Sequence, residues 1–370
     1  MNAHTPFSRA DADHMARALR LAERGLYTTD PNPRVGCVLV KAGRVVGEGW
    51  HRKAGGPHAE IEALAVAGAE ARGATAYVNL EPCCHHGRTP PCTEALIAAG
   101  ITRVVAALED PNPKVAGAGL ARLAAAGIDT ACGLLAGDAL NLNRGFCQRM
   151  ATGRPWLRSK LAMSLDGRTA MASGESRWIT GADARRDVHR LRARSSAIVT
   201  GIGTALADDP ELTARLGEDA GAIVQPIRIV LDSQFRLPST ARLADGRVRT
   251  VVLTTAAGRA ARADIPATLE AVALPTGAED RIDLLTVVEW LGRAGCNEVL
   301  VEAGPTLNGA LLRAGLVDEW IVYLAPVVLG DQARGLFHLP GLSRMADRHE
   351  LRLADTRQIG QDIRLSFLKA

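Results

Sequence analysis

No apolar run in this chain approaches the roughly eighteen residues that a membrane span needs, and Met1 to Arg20 lack the continuous apolar stretch of a signal peptide. Both absences point to a cytoplasmic protein. No block of five or six like charges occurs, and the formal net charge is only +4, so nothing marks an anchor for nucleic acid or a membrane surface. The chain also lacks a Walker A loop and a complete Gly-x-Gly-x-x-Gly after a strand, so dinucleotide binding cannot rest on those motifs. Low-complexity segments are missing as well. A content of 47% hydrophobic and 23% charged residues is that of an ordinary globular chain, and 370 residues are too many for one comfortable core. Seven cysteines is an odd count, and three of them fall between Cys83 and Cys92, a cluster closer to metal binding than to a disulfide framework.

The pattern of apolar residues predicts a helix from His14 to Gly25, then a hairpin of Val35–Val40 and Val45–Gly49 around Ala42-Gly43. Helices are expected at Ala59–Ala71, Thr93–Ala99 and Gly119–Ala126, and strands at Ala76–Leu80 and Arg103–Ala107. A boundary falls near Met150 to Pro155, where Ala-Thr-Gly-Arg-Pro precedes the apolar run that begins at Trp156. Beyond it, strands at Ala197–Thr200, Ile227–Leu231, Thr250–Thr254 and Glu298–Val301 alternate with helices at Asp183–Arg194 and Asp283–Arg293. Two α/β domains follow, residues 1–150 and 151–370.

The strongest constellation is His58-Ala-Glu60 followed by Glu81-Pro-Cys83 and Pro91-Cys92. One imidazole and two thiolates suit zinc, and three protein ligands leave a fourth tetrahedral position for a water made acidic by the metal. Glu60, two residues from His58, is placed to carry protons between water and a leaving amine. Cys92 opens a helical stretch, where unpaired N–H groups favour a thiolate. Cys84, His85 or His86 would turn the site into a closed structural zinc if one of them were a fourth ligand. Cys37, Cys132, Cys147 and Cys296 read as small buried hydrophobes.

This pattern resembles the His-x-Glu and Pro-Cys signature of the zinc nucleobase and nucleoside deaminases. The usual member has two residues between its cysteines; here Cys-His-His-Gly-Arg-Thr-Pro-Pro separates Cys83 from Cys92, and that longer loop looks like the riboflavin-biosynthesis deaminases. The resemblance extends to substrate-contacting positions. It implies that Asn32 holds the pyrimidine, that His51 and His85 are further polar contacts, and that Arg88 faces a ribose phosphate. Taken alone, Asn32 reads equally as a turn residue.

In the second half, Val299-Leu-Val-Glu302-Ala-Gly304-Pro-Thr306-Leu-Asn308 runs from an apolar strand through a glycine turn into a helix, an arrangement that turns N–H groups toward a phosphate. Most such turns bind nothing. Lys160-Leu-Ala-Met-Ser-Leu-Asp-Gly-Arg-Thr-Ala, Gly174-Glu-Ser-Arg-Trp-Ile-Thr and Ala207-Asp-Asp-Pro resemble the reductase half of bifunctional riboflavin deaminase-reductases. The resemblance covers nearly the whole chain. It implies a cytidine-deaminase-like zinc domain followed by a dihydrofolate-reductase-like domain, with Zn2+ and NADPH as cofactors. Ala162, Trp178, Thr204, Asp208, Ser233 and the turn Gly304, Pro305, Thr306, Leu307, Asn308, Gly309, Ala310 are then cofactor contacts. Ser176, Arg192, Leu212, Arg215 and Glu302 are then substrate contacts. Without the resemblance, Arg192 reads as part of a solvated helix face among Arg185, Arg186, Arg190 and Arg194, and Trp178 as a core aromatic.

The implied function is deamination of a pyrimidine ribosyl phosphate, a small-molecule substrate, followed by NADPH reduction of its ribosyl chain. A homo-oligomer is compatible with this reading. The alternatives are a zinc deaminase of another nucleobase with a C-terminal recognition domain, and a nucleotide-binding module whose zinc is structural.

Overall fold

The computed structural model describes residues 7–85, 90–217 and 221–370. The backbone divides into two compact units, Met1–Gly153 and Arg154–Ala370. Among the described residues no helix is long and apolar enough to cross a membrane.

The first unit runs α1 (Arg9–Glu23), β1 (Gly36–Lys41), β2 (Arg44–Trp50), α2 (Ala59–Ala67), β3 (Thr75–Val78), α3 (Cys92–Ala98), β4 (Arg103–Ala106), α4 (Ala118–Ala125), β5 (Asp129–Cys132) and α5 (Ala136–Thr152). Its five strands are ordered β2-β1-β3-β4-β5, with β1 antiparallel to β2 and β3, and β3, β4 and β5 parallel. Alternate residues of β1 serve opposite faces, as the pleat requires. Cys37 and Leu39 pack with the alanines of α2, while Val38 and Val40 pack with Met15, Ala18 and Leu19 of α1. Helix α2 lies so close to β2 that a Cβ at Gly49 would sit 2.5 Å from the Ala59 carbonyl, and this contact sets the start of α2 and with it His58.

Helix α1 begins five residues before the predicted start. Its first turn is charged and so hidden from apolar periodicity, and it is fixed by a Ser8–Asp11 capping box. The expected helix through Ala71 breaks at Gly68, which adopts a positive φ of 53° before a short 3-10 turn. Cys132, expected in the core, is exposed, because it ends the outermost strand of the sheet; Cys37, Cys147 and Cys296 are buried.

The second unit contains β6 (Trp156–Met163), β7 (Arg168–Ala170), α6 (Ala182–Ala193), β8 (Ala197–Gly201), α7 (Ile202–Asp208), β9 (Ile227–Leu231), β10 (Thr250–Thr255), α8 (Ala256–Ala261) and β11 (Leu269–Leu274). It continues through α9 (Leu284–Arg293), β12 (Glu298–Val301), α10 (Pro305–Arg313), β13 (Glu319–Leu324), β14 (Arg334–Gly335), β15 (Leu351–Ile359) and β16 (Asp362–Lys369). Nine strands form one sheet in the order β11-β10-β9-β8-β12-β6-β13-β16-β15, parallel from β11 to β13 and antiparallel beyond. Val299 and Val301 join one core layer and Leu300 the other, so the parallel strands are buried on both faces.

Candidate active sites

The α2 N-cap, the turn after Glu81 and the first residue of α3 bring His58, Cys83 and Cys92 together, with their donor atoms all within 4.8 Å of one another. His58 Nδ1 lies 3.2 Å from Cys92 Sγ and 3.6 Å from Cys83 Sγ. A tetrahedral zinc with bonds of about 2.1 Å to nitrogen and 2.3 Å to sulfur needs N···S separations near 3.6 Å, so the set fits that ion. The Cys92 backbone N–H donates to Cys83 Sγ at 3.3 Å. The Cys92 contact, helped by His58, holds the Cys83 thiol well below its ordinary range, and the same contact with burial pushes Cys92 up. Two adjacent thiolates are therefore unfavourable without a cation to pair with.

Among the described residues the cluster has three ligands. The Cys84 thiol is directed to the Lys114 carbonyl, 4.0 Å away, and His85 is half-buried with no hydrogen-bond partner for Nδ1. Both stand outside the trio; His86 and Arg88 lie outside the described residues. Glu60 is 3% exposed, and burial, reinforced by Cys83, raises its carboxyl to about 7.

His51 Nδ1 donates to the Pro57 carbonyl at 2.8 Å, which fixes the tautomer and leaves Nε2 to accept from Asn32 Nδ2 at 3.1 Å. Burial lowers the His51 pKa, in keeping with a neutral ring. Asn32 is thus more than a turn residue: its amide donates to His51. Two asparagines that no local motif marks hold this segment. Asn143, at a kink in α5, accepts from the Arg34 N–H at 2.8 Å and donates to the Arg34 carbonyl at 2.9 Å. Asn79 donates to that same carbonyl at 2.9 Å and accepts from Gly36 N–H at 2.8 Å. Glu81, read above only as part of a motif, accepts from the backbone N–H groups of Asp110, Gly117 and Leu120, and so anchors the turn carrying Cys83.

In the second unit, one cleft of about 2090 Å³ opens along the parallel strands' C-terminal ends. Ala162, Trp178, Thr204, Asp208 and Ser233 line it, as do Gly304, Pro305, Thr306, Leu307 and Ala310. Ser176, Arg192, Leu212, Arg215 and Glu302 line it too. Gly304 caps α10 and donates its N–H to Thr204 Oγ1 at 3.1 Å, and Ser233 Oγ accepts from the Ile282 N–H at 3.2 Å. Asn308 and Gly309 do not line the cleft. Asn308 is fully buried, accepting from Ser159 Oγ and donating to the Ala303 carbonyl at 2.7 Å each, so it braces the turn from behind. Gly309 is a packing position, since a Cβ there would lie 2.1 Å from the His338 carbonyl oxygen.

Trp178 is no core aromatic: it is 70% exposed, with the Arg185 guanidinium 4.5 Å from its ring centroid. Arg192 is no solvated residue either. Its side chain is 14% exposed and grips Glu302 through two hydrogen bonds of 2.6 and 2.9 Å. Burial raises the Glu302 carboxyl, but Arg192 outweighs it and the net direction is down. Lys160, also unassigned above, lines the same wall; burial lowers its pKa against the pull of Glu302. Leu212 sends its side chain into the core, 3% exposed.

A half-buried His-Cys-Cys site beside a buried glutamate, on a five-stranded sheet, joined to a parallel-sheet unit with a polar cleft, defines a two-domain protein. It combines a cytidine-deaminase-like zinc domain and a dihydrofolate-reductase-like domain. Residues 8–108 match the cytidine and deoxycytidylate deaminase zinc-binding region, and residues 155–365 match the RibD C-terminal domain. The chain is 53% identical over 369 residues to the riboflavin biosynthesis protein RibD of Escherichia coli, covering 97% of this chain and 100% of that one. The solved structure of Acinetobacter baumannii RibD superposes with a TM-score of 0.90 at 45% identity, covering 98% of this chain and 99% of that one. A Thermotoga maritima structure described as a diaminohydroxyphosphoribosylaminopyrimidine deaminase/5-amino-6-(5-phosphoribosylamino)uracil reductase gives 0.87 at 32% identity, with coverages of 98% and 99%. This chain belongs to the RibD family of riboflavin-biosynthesis proteins.

Proposed function

We propose that the unit Met1–Gly153 carries the deaminase and Arg154–Ala370 the reductase of a bifunctional riboflavin-biosynthesis enzyme. The enzyme uses zinc and NADPH. The substrate is a diamino-ribosylamino-pyrimidinone 5′-phosphate: water replaces the 2-amino group, ammonia leaves, and the ring becomes a uracil. The ribosyl ring then opens, C1′ gains a hydride and its nitrogen a proton, giving 5-amino-6-ribitylaminouracil 5′-phosphate. The observation that carries the reading is the three-ligand cluster with buried Glu60 beside it, which a structural zinc does not need.

His58, Cys83 and Cys92 would hold the zinc, which would supply the acidity that makes water nucleophilic near neutral pH. Glu60 would carry a proton from the attacking water to the leaving amine. Asn32 and His51 orient the pyrimidine, with His85 and Arg88 as further contacts. In the second unit the turn from Gly304 to Ala310 and the residues Ala162, Trp178, Thr204, Asp208 and Ser233 seat NADPH, which supplies the hydride. Asn308 and Gly309 serve there as supports. Glu302 accepts from sugar hydroxyls while Arg192 fixes its charge and direction, and Ser176, Arg215 and the backbone of Leu212 complete the substrate wall. Lys160, which lines the same cleft and whose pKa burial lowers against the pull of Glu302, gives the proton that accompanies the hydride.

A coupled assay tests this. The authentic pyrimidine phosphate should release ammonia first, and NADPH should be oxidised only once deaminated product is present. Chelation should stop the ammonia step and leave reduction of supplied intermediate intact. Ammonia release without any subsequent NADPH oxidation would favour the deaminase with a recognition domain instead.

A further inference from the structure

Helix α6 places His189 one turn before Arg192, on the same face, and both line the reductase cleft with Arg215. The Arg215 backbone N–H donates to His189 Nδ1 at 3.2 Å. A backbone amide can only donate, so Nδ1 carries the lone pair and a neutral ring bears its proton on Nε2. Nε2 lies 3.4 Å from Arg215 NH2. Both atoms are then donors, side by side, and an anionic oxygen is the partner that would accept from the two at once. Arg192 is less available: its guanidinium donates to both Glu302 oxygens and to the Thr213 carbonyl. Arg215 is tied by Glu211 at 2.6 Å and Thr213 Oγ1 at 2.7 Å, which hold its guanidinium near the histidine. The groups acting on His189 are Arg192 and Arg215, which with burial favour the neutral ring, and Glu302 and the Thr213 backbone, which oppose them.

We propose that His189 is a specificity-determining residue of the reductase, seating Arg215 through Nδ1 and offering its Nε2–H to the phosphoryl group of the substrate. The proposal rests on the function proposed above, in which the substrate carries a 5′-phosphate and Arg215 belongs to the substrate wall.

The test compares the deaminated, phosphorylated intermediate with its dephosphorylated counterpart, using the full chain and NADPH in steady-state turnover. The native enzyme should prefer the phosphorylated form. His189→Ala should raise KM for that form about tenfold, the size of one charge-assisted hydrogen bond, with kcat within about twofold. KM for the dephosphorylated form should stay unchanged, so the preference collapses. His189→Gln, whose amide restores a donor near the Nε2 position, should recover part of it. A His189→Ala enzyme that keeps the native preference overturns the proposal, and so does one that loses turnover on both forms alike. A native enzyme with no preference would instead sink the phosphate reading beneath it.

Discussion

The two asparagines behind Asn32 allow a prediction whose size follows from their hydrogen bonds. Asn143→Ala takes from the Arg34 N–H its amide acceptor, while the Arg34 carbonyl keeps the Asn79 donor. Asn79→Ala does the converse: Gly36 N–H loses its acceptor and the carbonyl keeps Asn143. Each single change thus removes the side-chain acceptor of one backbone N–H, at a cost of about 2 kcal/mol. The double change also strips the carbonyl of both amide donors, a loss neither single change contains. Its cost should exceed the sum of the two by about 1 kcal/mol, a coupling typical of groups sharing a partner. In a unit of this size about 2 kcal/mol lowers the melting temperature by roughly 4–8 °C. Calorimetry of the full chain can assign the transition, because chelation of zinc should move the deaminase unit's melting and not the other. The same variants should raise the deaminase KM, since Asn32 lies two residues from the clamped backbone, while zinc content and NADPH oxidation stay native. Strict additivity in the cycle would refute the shared-carbonyl argument, and an unchanged KM would refute the link to Asn32.

Glu60→Gln should retain zinc and lose deamination by roughly 10²–10⁴-fold, whereas Cys83→Ser should lose the metal itself; metal analysis beside ammonia release separates the two. Equal zinc loss in both would make Glu60 a ligand rather than a proton carrier. Gly309→Ala drives a Cβ to within 2.1 Å of the His338 carbonyl and must displace the start of α10 or the opposing segment, so NADPH affinity should fall, as read by fluorescence titration, with deamination spared. Burial raises the Asp11 carboxyl, but hydrogen bonds from Tyr77 and Ser8 and the nearby Arg103 outweigh it, bringing it from 3.8 to about 2. A folded value below the unfolded one means that this stabilisation is complete above about pH 4 and is lost as pH falls toward 2. Tyr77→Phe should therefore shift the acid-unfolding midpoint upward; an unmoved midpoint would show that the hydroxyl contributes nothing.

The zinc trio was legible because its residues are chemically rare in combination and lie in short motifs. What supports it was not. Asn143 and Arg34 are 109 residues apart, and nothing local to either predicts an amide paired to a distant backbone. The parallel strands β8, β9, β10 and β12 stood out as β-branched runs because they are buried on both faces. Strand β15 did not, because it edges the sheet and exposes most of its Arg-Leu-Ala-Asp-Thr-Arg-Gln stretch. Arg192 was misleading in isolation because four neighbouring arginines imply solvent, whereas the partner that draws it inward, Glu302, lies 110 residues away. Asn308 and Gly309 share a motif with true lining residues, but helical geometry turns consecutive positions to different sides, and a motif cannot say which side faces the ligand.

The two sites hold charge in opposite ways, and each way suits its chemistry. In the deaminase unit, burial moves His51 and Glu60 toward their neutral forms. Deamination passes protons between water, carboxyl and amine, and a group exchanges protons best when neither of its states is strongly preferred. In the reductase cleft, Glu302 is matched by Arg192, so its charge is fixed. Hydride transfer asks for a steady field and a held substrate rather than a shuttle, with a single proton supplied at the end. Ion pairing resists changes in protonation where burial alone invites them. A substitution that breaks the Arg192–Glu302 pair should therefore give the reductase a pH dependence absent from the native enzyme, because Glu302 would then be buried without the cation that keeps it ionised.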